Sequence, residues 1–284
     1  MSNEEQIAYW NGDGGKKWAE LDAQMARLLG PVAEMLMDHA GVDSARCALD
    51  VGCGGGSDSF VLAQRLGDGA RVLAVDVSEP MLAVAKAQRD QLGLDQVEFL
   101  EADAATHHFK EQRFDLLFSR FGVMFFDDPY GAFAHLRGAM APEGRLAFAC
   151  WQPLADNPWT AVPLKAALTI LPPAPPPPPR SPGPFAFAEP AYVEDILHKS
   201  GWSNVSVQPR QVEMRWPDGG GFETTARELV KMSPVGRLLA EVDYETRQKV
   251  YSASETVLRE YYEEGDGLNL EGAVWLVTAD NGKP

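Results

Sequence analysis

The residues best suited to chemistry in this 284-residue chain are the run Asp50-Val51-Gly52-Cys53-Gly54-Gly55-Gly56 and two further acids, Asp76 and Asp103. Closely spaced glycines allow a tight turn and let a ligand reach main-chain N–H groups at a helix N-terminus with no Cβ in the way. An acid about 20 residues beyond such a turn is where a carboxylate meets the hydroxyls of a ribose. The pattern therefore points to a nucleoside-bearing ligand. A pyrophosphate fits less well, because a dinucleotide fingerprint needs glycines at relative positions one, three and six. Those positions hold Gly52, Gly54 and Ser57. A Gly-rich turn in any α/β protein could also answer to tight-turn geometry alone, so the surrounding elements decide.

Those elements follow from hydrophobic pattern. Arg46 to Val51 reads as a buried strand and Ser57 to Leu66 as the helix after it. Ala70 to Asp76 is a second strand that ends on its acid, and Ser78 with Pro80 starts a helix continued by Met81, Val84, Ala85 and Gln88. Gln96 to Glu101 is a third strand, followed by Ala102-Asp103-Ala104. Phe114 to Ser119 is a fourth, and Arg145 to Trp151, after Pro142-Glu143-Gly144, a fifth. Strands alternating with helices, with each ligand-type residue at a strand's C-terminal end, predict a doubly wound α/β sheet with its site along that edge.

With that context the segment Asp50-x-Gly52-x-Gly54-x-Gly56 resembles the first motif of the class I S-adenosylmethionine-dependent methyltransferases. Phe118 to Phe126 and Gly144 to Trp151 look like a bacterial small-molecule subgroup similar to the ubiquinone and menaquinone C-methyltransferases. The opening Tyr9-Trp10-Asn11-Gly12 with Trp18, and the closing Ala273 to Ala279, fit the same subgroup. The resemblance implies a Rossmann-like seven-stranded sheet of order 3-2-1-4-5-7-6, the last strand antiparallel, plus a helical cap. It implies S-adenosyl-L-methionine as cofactor and S-adenosyl-L-homocysteine as product. The cofactor contacts it assigns are Tyr9, Trp18, Asp50, Gly52, Cys53, Gly54, Asp76, Val77, Met81, Asp103, Ala104 and Ser119, with Asp103 accepting from the adenine amino group. Tyr9 and Trp18 would close over the cofactor, since an aromatic face attracts a sulfonium cation; a core anchor is the other reading of Trp18.

Composition narrows the class. A formal net charge of −16 disfavours nucleic-acid binding, which rests on Lys and Arg neutralising phosphates. No run approaches the ~20 apolar residues of a membrane span, and the opening Ser-Asn-Glu-Glu lacks the basic and apolar regions of a secretory signal. Cys47, Cys53 and Cys150 are dispersed, which suits a reducing compartment. A cytoplasmic enzyme acting on a small-molecule acceptor is expected, without a metal site, and with a homodimer open as an assembly. Cys53 reads as a small residue tolerated beside the ligand, since a reactive thiol needs a neighbouring cation.

The expected organisation is residues 1–45 as N-terminal helices covering the cofactor site, then 46–284 as the core, with cap insertions at about 151–190 and 222–262. Trp18, Leu21, Met25 and Leu28 mark one N-terminal helix, and Val32, Met35, Leu36 and His39, after Gly30-Pro31, a second. Nine prolines between Leu171 and Pro184 predict an extended loop or a docking segment. Beyond it come a helix from about Ala191 to Ser200, a strand from Asn204 to Met214, helices over Phe222 to Met232 and Glu245 to Tyr262, and a last strand from Leu268 to Thr278.

Methyl transfer from a sulfonium is an in-line displacement, so alignment and exclusion of water do much of the work and a base is optional. Where a base helps, His107 is the candidate, in the loop after Asp103, with a solvated loop pair of His107 and His108 as the alternative. Phe121, Met124, Trp151 and Trp159, with Phe185 and Phe187, are the expected acceptor contacts, favouring an apolar or aromatic molecule methylated on oxygen or carbon. Arg120 would meet an acceptor carboxylate or pair internally with Asp127 or Asp128. The competing functional reading is a methyltransferase-like subunit that binds cofactor or partner without catalysis.

Overall fold

In the computed structural model, which describes residues 3–109, 114–172 and 178–282, the chain opens with helix α1 (Asn3–Asn11) and helix α2 (Asp13–Ala40). α2 runs unbroken through Gly30-Pro31, where the sequence pattern predicts a break. A proline there removes one N–H bond, but Leu28, Leu29, Val32, Ala33 and Leu36 are all buried on the helix, so packing overrides the local cost.

Strand β1 (Cys47–Val51), helix α3 (Ser57–Leu66), strand β2 (Arg71–Asp76), helix α4 (Glu79–Leu92) and strand β3 (Val97–Glu101) follow in alternation. Each helix start has a local cause. Gly56 enters α3 with φ 85°, a left-handed turn that suits glycine. Ser78 caps α4, its Oγ accepting from the Met81 N–H at 3.4 Å, with Pro80 in the first turn. Strand β4 (Phe114–Arg120), helix α5 (Pro129–Ala139) and strand β5 (Met140–Trp151) complete the parallel part, in which β1 pairs with β2 and β4, β2 with β3, and β4 with β5. β5 begins five residues earlier than its apolar run suggests, with a register shift against β4 between Phe114 and Leu116.

The rest comprises α6 (Pro158–Ala167), α7 (Pro190–Lys199), β6 (Ser203–Pro217), α8 (Phe222–Met232), the short α9 (Val235–Leu238), α10 (Tyr244–Leu258), the two-residue β7 (Tyr262–Glu263) and β8 (Gly267–Asp280). The sheet order is β3-β2-β1-β4-β5-β8-β6, with β7 pairing off β8. The last long strand thus lies between the fifth and sixth, as the resemblance implies. It is antiparallel to β5: Asn281 N–H meets Gly144 O at 2.7 Å while, at the other end, Gln152 N–H meets Ala273 O at 2.9 Å.

Two compact units emerge: Met1–Trp151 with Pro179–Arg210 and Trp275–Pro284, and Gln152–Pro178 with Gln211–Val274. The first holds the parallel sheet, whose core includes Phe118, Phe133 and Phe148, fully buried. Phe187 belongs to this core, 6.2 Å from both Phe133 and Phe148, and not to a cap. The second unit holds α6, α8, α9, α10, β7 and parts of β6 and β8. Of the proline tract, residues 173–177 lie outside the described residues; beyond them the chain is tied to the first unit where Gly183 N–H donates to Met124 O at 3.2 Å. No helix among the described residues is long and apolar enough to cross a membrane.

Candidate functional site

The glycine run is a turn in which Gly52, Gly54 and Gly56 all have positive φ (73°, 55° and 85°). Gly52 and Cys53 donate their N–H groups to Val75 O at 2.8 and 3.2 Å, lashing the turn to the end of β2. A Cβ on Gly52 would stand 2.6 Å from the Gly122 Cα, so close approach of two backbones adds to the conformational demand there.

Asp76 is held by this turn. Its Oδ2 accepts from Gly54 N–H at 2.8 Å and its Oδ1 from Ser78 N–H at 2.9 Å. Each carboxylate oxygen has a second lone pair, so the group keeps capacity for two ligand hydroxyls while its direction is fixed. Burial raises its pKa, against the backbone N–H groups of Gly54, Ser78 and Val77 that lower it. Met81, on α4, places its Cε methyl 3.1 Å from where a Cβ on Gly54 would be.

Asp50, 2% exposed, accepts from Ser59 Oγ. Burial, and then the charge of Asp58, push its carboxyl up to about 7, while Ser59 and Arg120 act the other way. Arg120 forms an ion pair with Asp58, not with Asp127 or Asp128. Asp22, from α2, also reaches the turn, and burial raises its pKa. Asp22, Asp50, Asp58 and Asp76 are thus gathered about one turn with Arg120 countering Asp58. With Asp50 holding its proton up to about pH 7 and Asp58 neutralised by Arg120, the carboxylates of Asp22 and Asp76 are left to oppose a pyrophosphate and to suit a cationic ligand. A sulfonium nucleoside fits this donor set on both counts, cation among carboxylates and ribose on Asp76. Cys53 has its thiol pushed well above the ordinary range by burial and by Asp76 and Asp50, so it stays protonated and unreactive.

α1 lies across the strand ends through three amide side chains. Asn3 Nδ2 donates to Asp103 Oδ2 at 2.9 Å, and Gln6 Nε2 to Phe125 O at 2.8 Å. Asn11 Nδ2 donates to Val77 O at 2.8 Å while its Oδ1 accepts from Glu79 N–H at 2.9 Å. Trp10 O accepts from Ser78 Oγ at 2.7 Å, and the Trp10 ring meets Phe125 edge-on at 5.7 Å and Trp18 at 6.1 Å. Tyr9 meets Trp10 edge-on at 5.3 Å and lies over Gly14, where a Cβ would fall 2.5 Å from its ring. Tyr9, Trp18, Val77 and Asp103 are therefore drawn together by one helix.

Other expected residues have structural partners. Asp103 Oδ1 accepts from Ala105 N–H at 2.9 Å, turning the loop that carries buried Ala104. Ser119 is fully buried, its Oγ donating to Val51 O at 2.7 Å and accepting from Gly122 N–H at 3.2 Å, so it knots β4 to β1. His107 turns its ring edge-on to Phe109 at 5.0 Å. Met124 is 1% exposed, a core residue. Phe121, with φ 67°, stacks in parallel on Trp151 at 4.3 Å and 6°, the pair joining the ends of β4 and β5. Trp159 stands in the second unit, donating from Nε1 to Asn157 Oδ1 at 3.3 Å. The sequence reading gave no polar docking role to Asn3, Gln6, Asn11, Asp22 or Gln88, because a single polar residue on a helix carries no pattern until the helix is docked. No group of three or more metal-ligating side chains occurs among the described residues.

Residues 49–148 match the family model of a methyltransferase domain. The chain is 29% identical over 208 residues to nocamycin O-methyltransferase of Saccharothrix syringae, covering 69% of this chain and 73% of that protein. It is 36% identical over 125 residues to a demethylmenaquinone methyltransferase of Thermus thermophilus, covering 42% of this chain and 56% of that relative, little more than half its length. Among solved structures its fold is similar to Haemonchus contortus phosphoethanolamine N-methyltransferase 2 bound to phosphomonomethylethanolamine and S-adenosylhomocysteine, with TM-score 0.57 at 16% identity, covering 97% of this chain and 59% of that one.

Proposed function

We propose, from the premise that this chain is an S-adenosylmethionine-dependent methyltransferase of Rossmann-like fold, that it methylates a small apolar or aromatic molecule on oxygen or carbon. The observation that carries this reading is the parallel Phe121–Trp151 pair, 4.3 Å between centroids, at the same sheet edge as the glycine turn and Asp76. A flat apolar surface there suits an aromatic acceptor. Similarity to an O-methyltransferase and to a demethylmenaquinone methyltransferase supports the same class.

When bound, the cofactor supplies a methyl group already activated for in-line displacement. The chain's own contribution is positioning and exclusion of water. Asp76, fixed by the Gly54 and Ser78 N–H groups, orients the ribose. The carboxylates of Asp22 and Asp76 favour a cation over a phosphate. Phe121, backed by the buried Trp151, offers the acceptor a dry aromatic face. His107, turned onto Phe109, is assigned no proton-transfer step.

The test is mass spectrometry of the chain incubated with S-adenosylmethionine and a panel of phenols, quinols, β-dicarbonyls and amines. Methylation of a phenol, quinol or acidic carbon, with S-adenosylhomocysteine formed in equal amount, is expected. Methylation of amines alone would overturn the acceptor class. Cofactor binding with no turnover across the panel would favour the non-catalytic subunit.

A further inference from the structure

Within the first unit the end of β4 is pressed against the glycine turn. A Cβ on Gly52 would stand 2.6 Å from the Gly122 Cα, and Ser119 Oγ donates to Val51 O at 2.7 Å. Between Ser119 and Gly122 lies Arg120, whose Nε donates to Asp58 Oδ2 in the first turn of α3, directly beyond the glycines. This ion pair is enclosed, its two side chains 13% and 11% exposed. Its charge reaches the rest of the turn, since Arg120 lowers the pKa of both Asp22 and Asp50.

A guanidinium carries five N–H donors in a planar fork. The bond to Asp58 uses the one on Nε, and the four on the two Nη atoms have no protein acceptor among the described residues. Folded proteins seldom enclose so many donors without a partner, and a carboxylate fits the fork best, through two parallel N–H···O bonds. The sulfur nucleosides expected at this turn bring such a group. Each ends in an α-amino acid, with an ammonium and a carboxylate on one carbon. The carboxylates of Asp22 and Asp76 suit the ammonium and the sulfonium but oppose the tail carboxylate, which therefore needs a cation beside it. Arg120, held in place by Asp58, supplies one. The pair sets a positive group next to a negative one, the charge pattern that the amino-acid zwitterion complements.

We propose that Arg120 is a specificity-determining residue for the cofactor: its Nη groups bind the carboxylate of the amino-acid tail, and Asp58 is the positioning residue that aims them. The inference rests on the methyl-transfer reading above and adds the residue that makes the site select an intact amino-acid tail.

The test titrates the full chain calorimetrically with S-adenosylhomocysteine and with its decarboxylated analogue, in which hydrogen replaces the tail carboxylate. Arg120→Met is measured alongside, together with Arg120→Met combined with Asp58→Asn, which leaves no unpaired charge in the enclosed site should the single variant fold poorly. The parent should bind S-adenosylhomocysteine at least about tenfold more tightly than the analogue, the scale of charged hydrogen bonds. In both variants that ratio should collapse to about one, through weaker binding of S-adenosylhomocysteine. An ion pair that merely supports the turn would weaken both ligands equally and keep the ratio, which would overturn the proposal. So would a parent that binds the two ligands alike, the result expected if Arg120, whose guanidinium carbon is 5.9 Å from the Phe121 ring centre, served an acceptor's carboxylate instead. In that case S-adenosylhomocysteine still binds and this inference alone has failed; a parent that binds neither ligand takes the methyltransferase reading down first and this inference with it.

Discussion

Asp22 fills the space that a side chain at Gly55 would need: a Cβ there would lie 1.9 Å from Asp22 Oδ1. Its other oxygen, Oδ2, accepts from Gln88 Nε2 at 2.9 Å, so one carboxylate joins α2, the glycine turn and α4. Gly55 is thus required by a neighbour, whereas Gly52, Gly54 and Gly56 are required by their own φ values. Gly55→Ala should destabilise the chain by about 1–3 kcal/mol, the usual cost of overpacking. Urea denaturation checks this, and Gly55→Ala with Asp22→Ala should recover part of the loss. Strict additivity of the two substitutions would show that the contact is not the cause.

Asp76→Ala removes the acceptor that the Gly54 and Ser78 N–H groups aim. Cofactor affinity should fall by about 1–3 kcal/mol, as expected for a lost charged hydrogen-bond partner. Asp103→Ala should cost less, since Asn3 and Thr106 already share that carboxylate. Calorimetric titration of both variants with S-adenosylhomocysteine decides; parent-like binding by both would remove the ribose and adenine assignments.

Much of this was legible because it is local and periodic. The strands from Cys47 to Trp151, the turn at Gly52 to Gly56 and the acid closing β2 all follow from apolar runs and glycine spacing. Helix α2 was misread at Pro31 because burial along its length outweighs a local breaker. Arg120 was misread because its partner, Asp58, is 62 residues away in sequence. Met124 and Phe187 look like rim aromatics and thioethers in sequence, and only their 1% and 2% exposure assigns them to the core. The docking roles of the α1 amides were not legible for the same reason as that of Asp22: they come from what the helix packs against.

Asp50 makes stability depend on pH. Its folded pKa of about 7 lies above the ordinary value of 3.8, so the folded chain holds that proton more tightly than the unfolded one. The resulting stabilisation is complete below the ordinary value and is lost as pH rises through about 7. Asp22 and Asp76 are also raised and add in the same direction. Asp50→Asn cannot ionise and can still accept from Ser59, so its unfolding midpoint should vary less than the parent's over this range. A denaturation series across pH measures it; parallel profiles would contradict the assignment.

Phe121 adopts φ 67°, a conformation that costs a residue bearing a Cβ about 1–2 kcal/mol. Phe121→Ala loses the stack on Trp151 and keeps the strain, whereas Phe121→Gly loses the stack and relieves it. Phe121→Gly should therefore be the more stable of the two by about 1 kcal/mol, with methyl transfer reduced in both. Equal unfolding midpoints would mean that the backbone there is unstrained.

The most direct measurement is calorimetric titration of the unaltered chain with S-adenosylmethionine, S-adenosylhomocysteine and NAD under identical conditions. In the proposed reading Gly52, Gly54 and Asp76 hold a ribose, and the carboxylates of Asp22 and Asp76 oppose a pyrophosphate. The two sulfur nucleosides should bind, each at one site per chain, and NAD should not. Binding of NAD with neither sulfur nucleoside would contradict the account at its root.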